Sequence, residues 1–268
     1  MSAETLPEGL RRAVARLART PRLLVVCDYD GTLSPIVADP TQAVPRPESM
    51  RALRSLADLP DTTTGLISGR ALRDLAALSG LQAGENLHLI GSHGAELDAG
   101  FAQALDDDAQ ELRRRLEAGL AQLVGRTPGV LLETKPASIA VHVRRADPAV
   151  GESVLDAVRS GPARWKGVHV TEGKAVIELA VVETDKGAAL DMLRHQADAT
   201  AALFLGDDLT DEKAFARLAG PDLGVKVGPG ESLAAFSVPD TGDVAVLLDY
   251  LLAERGAWLP GETRRSGD

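Results

Sequence analysis

Cysteine is almost missing from the 268 residues: Cys27 stands alone. A single thiol excludes an internal disulfide and any zinc site built on cysteine pairs. Aromatic residues make up only 3% of the chain, which leaves few stacking platforms for nucleobases. No apolar run approaches the ~18 residues that a membrane-spanning helix needs. The opening segment, MSAETLPEGLRRAVARL, lacks an apolar signal core with a small-residue cleavage site. Positive charge is scarce too, since 29 Lys and Arg against 39 Asp and Glu give a formal net charge of −10. A field of that sign repels phosphate backbones. The expectation is a cytoplasmic protein with no nucleic-acid, membrane or obligate protein partner. Any anionic ligand must be drawn in by a local positive feature: a metal, a lysine or free backbone N–H groups.

The composition that is present, 44% hydrophobic and 25% charged, is that of a globular protein with a core of Ala, Leu and Val. Short apolar runs bounded by turn residues read as buried strands: Leu23–Cys27, Thr64–Ile67, Leu87–Gly91, Ala202–Gly206 and Leu223–Val227. Helical spacings lie between them, at Met50, Leu53 and Leu56, at Leu72, Leu75 and Leu78, and at Leu190 and Leu193, with further helices over Arg11–Leu17 and Val244–Leu252. Strands that are apolar throughout and alternate with helices predict a doubly wound, Rossmann-like parallel sheet covered on both faces. The middle third differs. A helical stripe at Leu112, Leu116, Leu120 and Leu123 leads into a hairpin (Val130–Thr134, Ile139–Val143). A second helix around Val150, Val154 and Val158 then leads into a second strand pair (Val168–Thr171, Ala175–Leu179). The runs IAVHVR and KAVIEL alternate as half-exposed antiparallel strands do. The domain reading is a discontinuous α/β core, residues 1–101 and 184–268, carrying an αββαββ insertion over residues 102–183.

The sharpest motif is Asp28-Tyr29-Asp30-Gly31-Thr32, directly after the first strand. Ligands of doubly wound sheets bind outside the carboxyl ends of the strands. Two carboxylates placed there can divide labour, one as nucleophile and the other as proton carrier. Gly206-Asp207-Asp208-Leu209-Thr210-Asp211-Glu212 follows a later strand in the same way. Asp211 and Glu212 suit an acidic helix start, whereas a doublet at the strand edge suits a hard-oxygen site for Mg²⁺. Ser68-Gly69-Arg70 reads either as an ordinary turn or as a hydroxyl and N–H groups offered to a phosphate. Lys186 is either solvated surface or the cation that the acidic cluster otherwise lacks. Cys27 reads as a small core residue. His88, His142, His169 and His195 have no ligand spacing, while His93, in Gly91-Ser92-His93-Gly94, sits in a loop that could face a cleft.

In this order, DYDGTLSPI, SGR, the lysine of DKG, and GDDLTDE resemble the four motifs of the haloacid-dehalogenase-like phosphatases. DPTQAVP, GSHGAEL, ETKPASIAVHVR and GKAVIEL narrow the resemblance to the trehalose-6-phosphate phosphatase family, over nearly the whole chain from Leu24 to about Leu252. The resemblance implies a hydrolase core in which Asp28 forms an aspartyl-phosphate. Asp30 would protonate the leaving sugar oxygen and then activate water, while Ser68 and Lys186 hold the phosphate. It implies Mg²⁺ on the Asp28 carboxylate, the Asp30 carbonyl and Asp207, with Asp208 or Asp211 nearby. The insertion corresponds to a mobile, substrate-recognising cap. Glu133, Lys135, Arg144, Lys174 and Glu178 are the implied sugar contacts, with Arg70 and His93 reaching from the core. Without the resemblance, these charges read as the ordinary surface of half-exposed strands. Alternatives of the same chemistry are a phosphatase of a related disaccharide or pseudo-disaccharide phosphate, and a sugar phosphotransferase or mutase. A catalytically dead sugar-phosphate sensor is disfavoured by the intact Asp28, Asp30, Lys186 and Asp207.

Overall fold

The apolar runs become parallel strands because both faces of the sheet they form are covered by helices. The computed structural model describes residues 6–81, 85–97, 107–135, 137–173, 175–182 and 185–258. The chain divides into two compact units, Met1–Gly94 with Asp185–Asp268, and Ala95–Thr184. The second unit begins at Ala95 rather than at residue 102. The chain leaves the core at the tight turn Ser92–Gly94, which carries no helical periodicity to mark it in the sequence.

In the first unit, strands β1 (Leu23–Cys27), β2 (Thr62–Ile67) and β3 (Leu87–Gly91) alternate with helices α1 (Glu8–Leu17), α2 (Pro47–Ala57) and α3 (Leu72–Ser79). After the second unit the chain returns through α6 (Lys186–Gln196), β9 (Ala201–Gly206), α7 (Glu212–Phe215), β10 (Leu223–Val227), β11 (Phe236–Val238) and α8 (Thr241–Trp258). The sheet order is β11-β10-β9-β1-β2-β3, and these pairings are all parallel. The edge strand β11 escaped the sequence reading because three residues, FSV, carry no usable period. In β1, all five residues are buried. Leu23, Val25 and Cys27 join the cluster formed with α1, α2 and α8, and the alternation of a strand turns Leu24 and Val26 to the opposite face, where α6 packs on β1 and β2.

The register decides where the chemistry can be. Cys27 is level with Leu66 of β2 and with Leu205 of β9. Asp28, Ser68 and Asp207, each one or two residues further on, therefore emerge side by side at the carboxyl edge of the sheet.

The second unit runs β4 (Glu96–Leu97), α4 (Asp107–Val124), β5 (Leu131–Thr134), β6 (Ser138–His142), α5 (Pro148–Ser160), β7 (His169–Gly173) and β8 (Val176–Ala180). Its antiparallel sheet has the order β5-β6-β8-β7. Ile139, Val141, Ile177 and Leu179 pack with Leu116 and Leu120 of α4 and with Val154, Leu155 and Val158 of α5. In β8 the expected half-exposed alternation holds, but β6 is buried from Ser138 to Val141. Both strands are inner, so the difference follows from side-chain size: on the face turned from the helices β6 carries the short Ser138 and Ala140, level with Ala180 and the long Glu178 of β8. Edge strand β7 is exposed along its whole length. Among the described residues no helix is long and apolar enough to cross a membrane.

At the amino edge of the large sheet, Arg255 near the end of α8 is fully buried. Its guanidinium donates to the carbonyls of Ala18, Thr20, Pro21 and Asp61 and to Thr62 Oγ1. One side chain thereby satisfies the chain ends that enter β1 and β2. Arg255→Met should take the donor from one buried and four part-buried acceptors, at about 1–3 kcal/mol for each left unpaired. Denaturant unfolding should register a loss of roughly 3 kcal/mol or more, and wild-type stability would show that solvent replaces the guanidinium.

Candidate active site

Lys186, the first residue of α6, is 2% exposed. Its helix is started by Asp185, whose side chain accepts from the Ala188 N–H at 2.8 Å. This cap fixes the direction in which the lysine leaves the helix. Lys186 Nζ donates to Asp28 Oδ1 and to Asp211 Oδ1, both at 2.8 Å, and lies 3.7 Å from Asp208 Oδ1. A fully buried ammonium between two buried carboxylates is far from the solvated surface lysine that the sequence alone also allowed.

The loop after β9 is organised from within. Asp211, also fully buried, turns its second oxygen back to accept the N–H groups of Asp207 and Asp208 at 2.9 and 3.0 Å. Asp208 Oδ1 accepts from Thr210 N, Thr210 Oγ1 and Asp211 N, so Asp208 closes the turn. Asp207 is left with its carboxylate free of hydrogen bonds among the described residues. It lies over Gly31 (φ +82°), where a Cβ would fall inside the carboxylate group. Gly206 is required for the same reason, because its Cβ position is filled by Asp211. Carboxylate oxygens of Asp28, Asp207 and Asp211 come within 4.8 Å of one another. Three hard anionic oxygens converging at one point, with one ammonium among them, fit a divalent cation of the Mg²⁺ type. Asp208, named with them from the sequence, also closes the loop's own turn through Oδ1.

Asp30, one residue past the buried Tyr29, does not point at this cluster. Both its oxygens are held by Arg70, Nε to Oδ2 and Nη2 to Oδ1 at 2.6 Å each. Arg70 also lies over the Tyr29 ring, 5.6 Å from its centroid. Ser68 is buried, its hydroxyl accepting from the Arg70 N–H at 3.1 Å and its carbonyl from the His93 N–H at 2.9 Å. His93 has a left-handed backbone (φ 54°), and its ring covers Gly69, where a Cβ would lie 2.6 Å from Cε1 and Nε2. The structure thus brings Asp28, Asp30, Ser68, Arg70, His93, Lys186, Asp207, Asp208 and Asp211 to one edge of the sheet. The Arg70–Asp30 pair had no signal in the sequence, since the two residues lie on separate loops.

In the second unit, Glu133, Ala140, Glu178 and Thr171 form one row across the sheet by strand register, so their side chains share a face. Lys135 Nζ bridges both Glu178 oxygens at 3.1–3.2 Å, and Ser138 Oγ donates to Glu178 Oε1 at 2.5 Å. His142 Nε2 is 2.8 Å from Glu133 Oε2. Lys135 is buried, so this face is a polar cluster and not the loose surface charge that alternation alone suggests. Ser138 and His142 are the members that the sequence reading left without a role; the strand register would have found them. Arg144 is exposed beyond the end of β6, and Lys174 lies outside the described residues.

The charges explain the titration behaviour. Burial is the main force raising the Asp28 carboxyl to about 7; the Lys186 charge and hydrogen bond oppose it, and Asp207 and Asp208 add to it. Burial and the neighbouring acids likewise lift Asp207 to about 6 and Asp211 to about 8. For Asp208 burial is outweighed by Lys186 and by hydrogen bonds from Thr210 and Asp211, so it falls to about 2. Burial also works against the Lys186 charge, but Asp28, Asp211 and Asp208 together hold it protonated. Lysine and acids rise together because one ammonium cannot neutralise so many carboxylates.

This site sits on a doubly wound α/β frame and is equipped for carboxylate chemistry on an anion beside a divalent cation. A sequence model of the trehalose-phosphatase family matches residues 26–239, and the chain belongs to that family. It is 37% identical over 267 residues to a trehalose-phosphate phosphatase of Mycobacterium tuberculosis, covering 92% of this chain and 66% of that protein. It is 32% identical over 279 residues to a probable trehalose-phosphate phosphatase of Oryza sativa, covering 91% of this chain and 73% of that one. A bifunctional trehalose-6-phosphate synthase/phosphatase of Thermoproteus tenax matches at 33%, with this chain spanning about a third of its length (32%). Among solved structures, the C-terminal domain of the Candida albicans trehalose-6-phosphate phosphatase superposes with a TM-score of 0.72 at 26% identity, covering 91% of this chain and 96% of that domain.

The raised carboxyls set a pH dependence of stability. In the folded, metal-free chain Asp207, Asp28 and Asp211 hold protons up to about 6, 7 and 8, respectively, which the unfolded chain has released near its ordinary value of about 4. Folding therefore weakens as pH rises through that window. Asp208 contributes the opposite slope, losing stability only as pH falls from about 4 toward 2. Thermal unfolding in chelator should give a lower midpoint at about pH 8 than at about pH 5, and Mg²⁺ should restore most at the higher pH. A midpoint that climbs with pH in chelator would contradict this charge arrangement.

Proposed function

We infer that the protein is a Mg²⁺-dependent phosphomonoesterase acting in the cytoplasm, which hydrolyses trehalose 6-phosphate to trehalose and phosphate through an aspartyl-phosphate on Asp28. The observation that carries this reading is the Lys186 ammonium held 2.8 Å from Asp28 at the strand edge, with Asp207 and Asp211 converging beside it. Membership of the trehalose-phosphatase family supports the substrate.

Lys186 fixes Asp28 Oδ1, which leaves Oδ2 as the oxygen that attacks phosphorus. As the Asp28–phosphorus bond forms, the bond to the sugar oxygen breaks, and Asp30 delivers its proton to that leaving oxygen. In the second half, Asp30 takes a proton from a water that attacks the same phosphorus, releasing phosphate and returning Asp28 to its carboxylate. Asp30 can do this only if Arg70 gives up at least one of its two bonds, so Arg70 is placed to hold Asp30 until the sugar phosphate competes for it. The Ser68 hydroxyl, buried beside Asp28's strand, would hydrogen-bond the phosphoryl oxygens. Asp28 and Asp207, with Asp211 behind them, would hold Mg²⁺, which when bound neutralises negative charge on the transferring phosphoryl group. The polar face of the second unit, Glu133, Lys135 and Glu178, supplies charged donors and acceptors suited to a hydroxyl-rich sugar, with Arg144 and Lys174 as further contacts in this reading.

Phosphate release from a panel of sugar phosphates tests the assignment. Trehalose 6-phosphate should be the preferred substrate, and a wild-type protein preferring an unrelated sugar phosphate would overturn it. Phosphoryl transfer to a second sugar at the expense of release would mark a phosphotransferase. Asp28→Asn keeps the shape but removes the attacking charge, so turnover should fall by several orders of magnitude in a folded protein. Substantial turnover in that variant would sink the covalent route. Activity should vanish in chelator, return with Mg²⁺ and be inhibited by Ca²⁺, which takes more ligands at longer distances.

The polar face has its own test. Lys135→Ala or Glu178→Ala removes charged hydrogen bonds worth roughly 1.5–3 kcal/mol each. The expected fall in kcat/KM for trehalose 6-phosphate is about ten- to a hundred-fold or more. A small aryl phosphate, which does not use those contacts, should be hydrolysed at nearly the wild-type rate. Equal losses on both substrates would assign these residues to support of the fold.

A further inference from the structure

The first unit contains a second buried lysine that the chemistry above does not use. Lys226, on β10, is 7% exposed. Among the described residues its ammonium touches no carboxylate; it donates to the backbone carbonyl of Asp207 and to that of Val227 at 3.0 Å. An ammonium held out of water against two backbone carbonyls is costly, and the acid that feels its charge is Asp207.

The position of the lysine explains the cost. Lys226 is level with Gly206, the last residue of β9, so its side chain reaches along the sheet edge to the first residue of the acidic loop. Asp207 is then held on three sides. Its N–H is taken by Asp211 Oδ2 at 2.9 Å, its carbonyl by Lys226, and its carboxylate occupies the notch left by the missing Cβ of Gly31. The first contact belongs to the loop itself. The other two come from different strands' ends and fix Asp207 relative to the rest of the sheet. Asp207 and Lys226 also line an open cleft of about 380 Å³, with Gly31, Arg46 and Thr241, so the carboxylate is clamped without being sealed from a cation in solvent.

We propose that Lys226 is a positioning residue for the metal site: by clamping the Asp207 carbonyl it holds the Asp207 carboxylate opposite Asp28, in the arrangement that takes a divalent cation. This rests on the reading of Asp28 and Asp207 as metal ligands. Lys226 touches neither the metal nor the substrate. Its effect is therefore on metal affinity and not on the chemical step.

The test measures Mn²⁺ binding without substrate, by electron paramagnetic resonance of free Mn²⁺ and by calorimetry. Partners that orient a metal ligand are worth about 10–100-fold in affinity. Lys226→Met keeps the packing of the stem but removes the donors, and should weaken Mn²⁺ binding by about tenfold or more. Lys226→Arg, which restores donors and charge, should recover most of it. Aryl-phosphate hydrolysis by Lys226→Met should need correspondingly more Mg²⁺ and approach the wild-type maximum when saturated. Arg255→Met, which loosens the same unit from the opposite edge of the sheet, should leave Mn²⁺ affinity unchanged. Wild-type affinity in folded Lys226→Met would overturn the proposal, as would an equal loss in Arg255→Met. Should Lys226→Met fail to fold, Lys226→Leu, which likewise carries no donor, is read in the same way. A wild-type chain that binds no Mn²⁺ would remove the metal-site reading itself, a result distinct from failure of the clamp.

Discussion

The ammonium of Lys186 is the contact on which the rest of the catalytic unit depends. Three carboxylates cannot be taken out of water together at neutral pH unless a positive charge goes with them. Lys186 joins Asp28 from the end of β1 to Asp211 from the loop after β9, and it does so from the first turn of α6. Residues 28, 186 and 211, far apart in the chain, are tied by one nitrogen. The parallel sheet makes this contact feasible by setting the carboxyl ends of β1, β2 and β9 level.

Around that contact the acids have different tasks because they have different surroundings. Asp211 spends its oxygens on Lys186 and on two backbone N–H groups, so it organises the loop. Asp208 is held ionised by the Lys186 charge and by the turn it closes. Among the described residues, the Asp207 carboxylate and one oxygen of Asp28 accept no hydrogen bond, and the two residues bring carboxylate oxygens within 4.8 Å of each other. Asp30 is held apart by Arg70. The carboxyls consequently range from about 2 for Asp208 to about 8 for Asp211 within one loop, a spread set by burial and partners and not by residue type. Two glycines make the spacing attainable, since a Cβ on Gly31 or Gly206 would occupy the volume of Asp207 or Asp211.

The second unit solves a different problem with antiparallel strands. One face of its sheet is apolar against α4 and α5. The other places short side chains, Ser138 and Ala140, on inner strand β6 between the long charged ones of β5 and β8. The short residues leave room in which Lys135, Glu178 and Ser138 meet and satisfy one another.

Much of this was legible in the sequence because it depends on local periodicity and on motif order. Uniformly apolar runs marked β1, β3 and β10 to the residue, and alternating ones marked the inserted unit. The aspartates after β1 and β9 were visible because a strand followed by paired carboxylates is a local pattern. The partners of those aspartates were not. Arg70 on Asp30, Lys226 on the Asp207 carbonyl, Ser138 on Glu178 and His142 on Glu133 are contacts between separate segments, and strand register and loop direction alone decide them. The start of the inserted unit and the three-residue β11 were likewise hidden, being too short to show a period. The sequence by itself determined which residue types reach each strand end. Only the tertiary structure decided which oxygen faces which nitrogen, because that choice belongs to burial and charge balance among residues that the chain order keeps apart.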